Sequence, residues 1–280
     1  MTVVIQDLSY AYPDGDWALR ELSLHVQPGE FLSIMGANGA GKSTLCLALN
    51  GIVPQATGGR IRGNVTINGL NTKEHSVATF SKQVGIVFQN PEAQLFSVNV
   101  EAEVAFGLEN LGLPREEMQE RIDWALKLLK IEPLRHRSPS QLSGGERQRL
   151  AIASVLAMTP PFLVLDEPSA NLDSNGKREL LAALQDLKGT SGLTVIMAEH
   201  ETELIAEFFD RVAVLDRGRL VRLEPPERLF ADVSGMHALG LGVPQVSEVA
   251  ACLNGEFGTD LSLTRYQEAH RNLKLVSDSN

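Results

Sequence analysis

The chain alternates short apolar runs with turn residues, and one long stretch of helical period interrupts the alternation. Phe31-Leu32-Ser33-Ile34-Met35 and Val84-Gly85-Ile86-Val87-Phe88 read as β-prone segments, as does Leu193-Thr194-Val195-Ile196-Met197-Ala198. Pro161-Phe162-Leu163-Val164-Leu165 has the unbroken apolar character of a parallel strand buried on both faces. Residues 1 to about 88 read as strands around one helix that starts at Ser43, with turns at Pro28-Gly29-Glu30 and Asn68-Gly69. Asn-Gly between apolar residues signals a hairpin.

From about 90 to 160 the period becomes helical. Val100, Val104, Leu108 and Leu111 share one face. Pro114 with Glu116-Glu117 opens a second helix bearing Met118, Ile122, Ala125 and Leu129, and a third runs from Arg147 to Met158 with Leu150, Ser154 and Met158 on one stripe. Strand and helix patterns then alternate to about Leu223, with a late turn at Arg217-Gly218-Arg219. Pro225-Pro226 punctuates the chain. An α/β unit over 1–224, with a helical subdomain inserted at about 90–160, is therefore expected, followed by an extension of short helices over 225–280 that ends in a polar, fraying tail, Ser277-Asp278-Ser279-Asn280.

Composition narrows this picture modestly. The 280 residues suffice for a sizeable core. A net charge of −10, from 25 basic and 35 acidic residues, argues against general affinity for nucleic acid or an anionic membrane surface. Cys46 and Cys252 are too few and too separated for a metal site or disulfide framework, which fits a reducing compartment, and Cys46 is expected to fill the helix behind the glycine-rich loop. The first residues lack a basic start and cleavable apolar core, and no run approaches the roughly 20 apolar residues that cross a bilayer. Any membrane role is expected to come through a partner.

Two constellations carry chemistry. Gly36-Ala37-Asn38-Gly39-Ala40-Gly41-Lys42-Ser43-Thr44 follows a β-prone run and opens a helix, the strand, loop and helix context of a P-loop. Amide groups at the helix start carry partial positive charge and seat a phosphate, Lys42 adds a full charge, and the Ser43 hydroxyl is placed to ligate Mg²⁺. Asp166-Glu167 closes a buried strand, at the sheet edge where open α/β folds bind ligands. Asp166 is the second metal candidate and Glu167 the candidate general base for water. The plain alternative for such a pair standing alone is an acidic surface turn after a strand, the less favoured reading.

Ser143 with Glu146 three residues on is a capping box, and Gly144 and Gly145 leave the amides of the first turn uncovered. By itself this is an ordinary capped helix. Together with the P-loop and Asp166-Glu167, Leu142 to Arg149 resembles the signature of ABC-type nucleoside triphosphatases. The resemblance implies an α/β, P-loop NTPase fold of the ABC nucleotide-binding domain type and an obligatory dimer, in which Ser143, Gly144 and Gly145 reach nucleotide held by a second subunit. It further implies a Q-loop glutamine at Gln89, which touches metal and water, a D-loop over Ser169-Ala170-Asn171-Leu172-Asp173, with Asp173 near nucleotide, and an H-loop histidine at His200 that contacts the γ-phosphate. A lone histidine at a strand end is more often structural. Tyr12 resembles the aromatic that stacks on adenine, although Tyr10 and Trp17 lie close in sequence; the preference for ATP over GTP is implied by the family alone.

Val87-Phe88-Gln89-Asn90-Pro91-Glu92-Ala93-Gln94-Leu95-Phe96 narrows the resemblance to the ATPases of energy-coupling factor (ECF) transporters, over essentially the whole chain. Gly242-Val243-Pro244-Gln245-Val246 is similar to that branch's additional dimer contact. This implies an ATP- and Mg²⁺-dependent ATPase, peripheral on the cytoplasmic face of the membrane, paired with an identical or similar ATPase beneath a transmembrane scaffold and a substrate-capture membrane subunit. Coupling helices of the scaffold would enter a groove lined by Gln94, Leu95 and Phe96; the plain reading of Leu95 and Phe96 is as core residues. Departures are Ala37, Ala40, Glu146 and Glu199, none of which removes a phosphate-contacting group. The competing classes are a conventional ABC uptake ATPase, a soluble ABC ATPase acting on DNA or ribosomes, and a small-molecule kinase, which leaves the signature unexplained. The transported substrate is not encoded in these residues.

Overall fold

The computed structural model describes residues 2–259, 261–266 and 268. The expected tail at 277–280 lies outside these residues. β1 (Val3–Ala11) and β2 (Trp17–Val26) pair antiparallel, and β3 (Phe31–Gly36), buried along its whole length, leads into α1 (Lys42–Ala48). Two short helices that the apolar pattern does not signal, α2 (Ile52–Gln55) and α3 (Val77–Ser81), flank β4 (Arg60–Ile67) and β5 (Leu70–Asn71). The Asn68-Gly69 hairpin forms between β4 and β5, with both residues at positive φ, 51° and 84°, as a tight primed turn requires.

The helical stretch comprises α4 (Val100–Asn110), α5 (Arg115–Leu128) and α6 (Gly144–Leu156), entered from β6 (Val84–Val87). Val100, Val104 and Leu108 form the buried face of α4, as their spacing predicts. The Leu150, Ser154 and Met158 stripe proves too narrow for α6, where Leu150, Ala151, Ile152 and Ala153 are all buried in succession. α6 packs against α4, α5 and β6 together, so nearly its whole circumference is covered. Beyond it come β7 (Phe162–Asp166), α7 (Ser174–Ser191), β8 (Thr194–Ala198), α8 (Thr202–Phe208), β9 (Arg211–Asp216) and β10 (Arg219–Glu224), then α9 (Pro226–Leu229), α10 (Val233–Ala238) and α11 (Gln245–Phe257).

The strands form two sheets, one in the order β2-β1-β4-β5 and one in the order β10-β9-β3-β8-β7-β6, the latter parallel except for β10. Successive residues of the parallel strands serve different cores. Leu32, Ile34, Val164 and Ile196 pack with Leu45, Cys46 and Ala48 of α1 and with the antiparallel sheet. Phe31, Met35, Leu163, Leu165, Val195 and Met197 face the core shared by the helical stretch, α7 and α8. Burial on both faces is why these strands read as apolar runs rather than alternating ones. Packing does not break at residue 225: Leu229, Phe230 and Met236 belong to the second of these cores, whereas Ala250 and Leu263 form a small cluster of their own beside α11.

Leu45 is fully buried between the two sheets, directly behind the P-loop. Leu45→Ala is expected to cost about 2–5 kcal/mol of stability. Urea unfolding midpoints against wild type measure this loss.

Candidate active site

β3, β8, β7 and β6 are consecutive neighbours in the parallel sheet, so the loops at their carboxyl ends lie side by side. Those loops begin at Ala37, Glu199, Glu167 and Phe88. The register pairs Asp166 with Ala198 and Val87 with Leu165, which brings Asp166, Glu167, His200 and Gln89 to one level.

The P-loop curls back on itself before α1. A Cβ at Gly36 would stand 2.4 Å from the Leu215 carbonyl oxygen, and one at Gly41 2.7 Å from that of Ala18; Gly41 also has φ 105°. Only glycine fits those two positions. Ala37, Asn38 and Gly39 are exposed at the rim, and Ala40 is tucked into the core. Lys42 is buried, and its Nζ donates to the carbonyls of Gly36 (3.0 Å) and Ala37 (3.3 Å) while lying 3.7 Å from Glu167 Oε1. Such a charge, held by weak carbonyl contacts, is available to a phosphate. Thr44 is buried in the first turn of α1, and its hydroxyl lies 3.3 Å from that of Tyr12.

Glu167 is the point of convergence. Gln89 Nε2 donates to its Oε2 at 2.7 Å, and His200 Nε2 meets its Oε1 at 2.6 Å. With Lys42 at 3.7 Å, three of the four expected catalytic residues therefore surround the carboxylate of the fourth. Glu167 itself sits at φ 51°, a left-handed conformation that a non-glycine residue adopts at a cost and that turns the chain sharply after β7.

Asp166, one residue earlier, is the buried last residue of β7. Its buried Oδ1 has no hydrogen-bond partner among the described residues, and the Ser43 hydroxyl lies beside the carboxylate. Burial lifts the Asp166 pKa, and the Glu167 charge adds to the rise, while Ser43 and Lys42 oppose it. A buried carboxylate oxygen left unpartnered beside a serine hydroxyl fits an oxygen-seeking divalent cation such as Mg²⁺. Among the described residues no group of three or more His, Cys, Asp or Glu could hold a metal by itself, so remaining ligands would come from phosphate and water. Gln89, the third expected metal contact, has its amide nitrogen on Glu167, which leaves its carbonyl oxygen for cation or water.

Other expected residues sit elsewhere. Ser143 and Glu146 form the anticipated capping box on α6, and Gly144 and Gly145 lie against Asn171, with a Gly145 Cβ only 3.1 Å from the Asn171 carbonyl oxygen. Asp173 caps α7 through Gly176 N–H at 2.8 Å. Tyr10 is buried and bonded to Thr57 and Gly58, and Trp17 lies beneath the guanidinium groups of Arg60 and Arg62; Tyr12 is thus the aromatic side chain directed at the P-loop helix.

Beside the Gln89 loop runs a groove of about 520 Å³ lined by Gln94, Phe96, Phe106 and Met158 among others. Phe96 is 67 % exposed and packs edge-on against Phe106, whereas Leu95 packs against the main core. Of the groove residues expected from sequence, Gln94 and Phe96 line it and Leu95 follows the plain core reading. Two carboxylates that the sequence reading did not place in the site region hold its loops. Buried Glu103 accepts from the amides of Phe96 and Ser97, and buried Glu199 bonds Ser169 and the His200 amide. Glu103 carries a signal in principle, since it is an acid within the turn between Val100 and Val104. The Arg147–Glu92 ion pair at 2.8 Å, from the signature helix to the Gln89 loop, carries none.

The family profile described as ABC transporter matches residues 19–170, spanning the P-loop, Gln89, the Ser143–Glu146 cap and Asp166-Glu167. The chain belongs to the ABC transporter ATP-binding family. This ABC ATPase is 46 % identical over 267 residues to a putative ABC transporter ATP-binding protein of Pyrococcus abyssi, covering 95 % of each chain. It is 39 % identical over 277 residues to the energy-coupling factor transporter ATP-binding protein EcfA of Methanothermobacter thermautotrophicus, covering 98 % of this chain and 87 % of that one. Among solved structures, CbiO1 of Clostridium perfringens, described as part of the ABC transporter complex CbiONQ, superposes with TM-score 0.74 at 34 % identity over 88 % of this chain and 97 % of the other. The ATP-binding cassette MJ0796, solved as a dimer bound to ADP and Pi, gives TM-score 0.72 at 28 % identity over 80 % of this chain and 98 % of the other. The ABC ATPase assignment and the ATP-hydrolysing activity inferred from motif order therefore stand.

Because the fold raises the Asp166 pKa, it favours the protonated acid, and ionised Asp166 subtracts stability at neutral pH. Asp166→Asn is expected to raise the melting temperature of ligand-free protein at pH 7, with the advantage shrinking as pH falls toward 3.8, the ordinary aspartate value. The same variant should lose the added stabilisation by ATP with Mg²⁺. Thermal melts across pH, with and without nucleotide, measure both effects.

Proposed function

We propose that this ABC ATPase powers an ECF-type membrane importer of a micronutrient, a vitamin or a nickel or cobalt ion, by ATP-driven closure of an ATPase dimer. The observation that carries the chemical part is the convergence of Lys42, Gln89 and His200 on Glu167 beside the P-loop. ATP sits with its phosphates on the Gly36–Thr44 loop and its adenine against Tyr12. Ser43 and Asp166, with Gln89, are the residues that would hold Mg²⁺, which when bound offsets negative charge on the phosphate oxygens. Glu167 accepts a proton from the attacking water, His200 and Gln89 orient that water and the γ-phosphate, and Lys42 leaves its carbonyl partners to meet the phosphate.

Ser143, Gly144 and Gly145 have their contacts with Asn171 and their own helix rather than with the P-loop, which supports a composite site completed by a second subunit, as does the dimeric state of MJ0796. Asp173 would then lie at the dimer seam. The ECF branch rests on the Asn90-Pro91 and Gln94-Leu95-Phe96 sequence, on the EcfA relatives and on CbiO1. No helix among the described residues is long and apolar enough to cross a membrane, so attachment to the membrane face would run through a transmembrane scaffold seated in the Phe96 groove. The units 1–224 and 225–280 would serve as catalytic cassette and dimer contact.

Glu167→Gln is expected to lower kcat by about 10²-fold or more while ATP affinity stays at the wild-type level. Steady-state phosphate release and equilibrium nucleotide binding separate the two. Solubilising membranes and identifying the subunits that co-purify with the chain tests the transport assignment. A scaffold and a small substrate-capture protein are expected with wild type and should be depleted with Phe96→Glu, whose basal ATPase is retained. Recovery of a soluble substrate-binding protein's transporter in their place would overturn the ECF assignment.

A further inference from the structure

Beneath the cluster around Glu167 lies a second carboxylate for which the mechanism above has no use. Glu199 is the first residue after β8 and is 2 % exposed. Its Oε2 accepts the Ser169 hydroxyl at 2.6 Å, and its Oε1 accepts the amides of His200 at 2.7 Å and Glu201 at 3.1 Å. A carboxylate this deeply buried needs such donors. All three belong to the two loops that carry Glu167 and His200, and no cation pairs with Glu199 among the described residues.

The contacts close a ring. The Glu167 amide donates to the Ala198 carbonyl and that of Ala170 to the Glu167 carbonyl, so the turn holding Ser169 is pinned to the end of β8. The Glu199 amide donates to Ile34 on β3, which anchors the carboxylate's own backbone. Glu199 then ties Ser169 to the start of the His200 loop, and His200 Nε2 returns to Glu167 Oε1 at 2.6 Å. A short neutral side chain at position 199 could not span from the two amides to Ser169.

We propose that Glu199 is a positioning residue for hydrolysis: by joining Ser169 to the His200 amide it holds the His200 imidazole on Glu167, in register with the γ-phosphate. The proposal rests on the assignment of Glu167 and His200 to the chemistry. Glu199 is buried under the two loops and acts through His200. Loss of the tie frees the two loops to move apart without disturbing the P-loop, so turnover falls while nucleotide binding does not.

The test uses the full chain with Glu199→Ala, Glu199→Gln and Ser169→Ala, alongside Glu167→Gln and His200→Ala. Misplacing a reacting group by an ångström is worth up to 10²-fold, so Glu199→Ala is expected to lower kcat about tenfold or more with ATP affinity within about twofold of wild type. Glu199→Gln should recover most of the loss, because its amide oxygen still takes both N–H groups and its NH₂ can donate to Ser169 Oγ. Ser169→Ala should give a smaller loss that is not additive with Glu199→Ala. The ¹⁵N signals of the His200 ring should shift in Glu199→Ala and return in Glu199→Gln.

Wild-type kcat in Glu199→Ala, an unmoved His200 signal, or a Gln variant no better than Ala each overturns the proposal. Should Glu199→Ala fail to fold, Ser169→Ala decides by the same two measurements, and no change in either overturns it. If Glu167→Gln and His200→Ala themselves turn over normally, the underlying assignment is what fails. If both are impaired and Glu199→Ala is not, the positioning role alone is lost.

Discussion

Parallel hydrogen bonding among β3, β8, β7 and β6 sets the spacing on which the site depends. Adjacent strands in a sheet lie about 4.8 Å apart, so groups at four neighbouring strand ends can meet across side-chain lengths without long, flexible loops. Lys42, His200, Glu167 and Gln89 issue from these four edges in the same order as the strands. Because the sheet is buried on both faces, its register cannot slip by a residue without exposing one core and overfilling the other. The catalytic geometry is thereby tied to the stability of the whole molecule.

Within that frame the site is held together by its own charges. Lys42 rests on P-loop carbonyls near Glu167, and Glu167 is bracketed by Gln89 and His200. Phosphate entering the loop competes for Lys42 with modest contacts, at little desolvation cost because the lysine is already buried. Asp166 is the opposite case, an ionisable group that the fold leaves poorly satisfied. A divalent cation bound there would relieve that deficit. Around this centre, Glu103 and Glu199 do for two loops what backbone pairing does for the strands.

Much of the site was legible because its chemistry is local. A P-loop needs glycines where backbone crowds backbone, and Gly36 and Gly41 meet carbonyl oxygens at distances no side chain permits. The Ser143–Glu146 cap is closed within one helical turn, and Asn68, Gly69 and Gly218 adopt the positive φ their residue types tolerate. Readings that depended on surroundings fared less evenly. The stripe assigned to α6 was too narrow because neighbours on several sides bury it, and α2 and α3 carry too few residues to show a period. Leu95 and Phe96 are adjacent in sequence, yet one joins the core and the other lines a groove.

The order of motifs and their turn chemistry, both written in short segments, were enough to indicate the fold class and the family and to single out a candidate phosphate-binding loop. Tertiary structure alone decided which side chains touch. The Glu199 link to Ser169, the Arg147 pair with Glu92 and the Tyr12 contact with Thr44 all depend on residues far apart in the chain. Their proximity arises only when strands align and two cores fill, since no sequence interval encodes the distance between two loops.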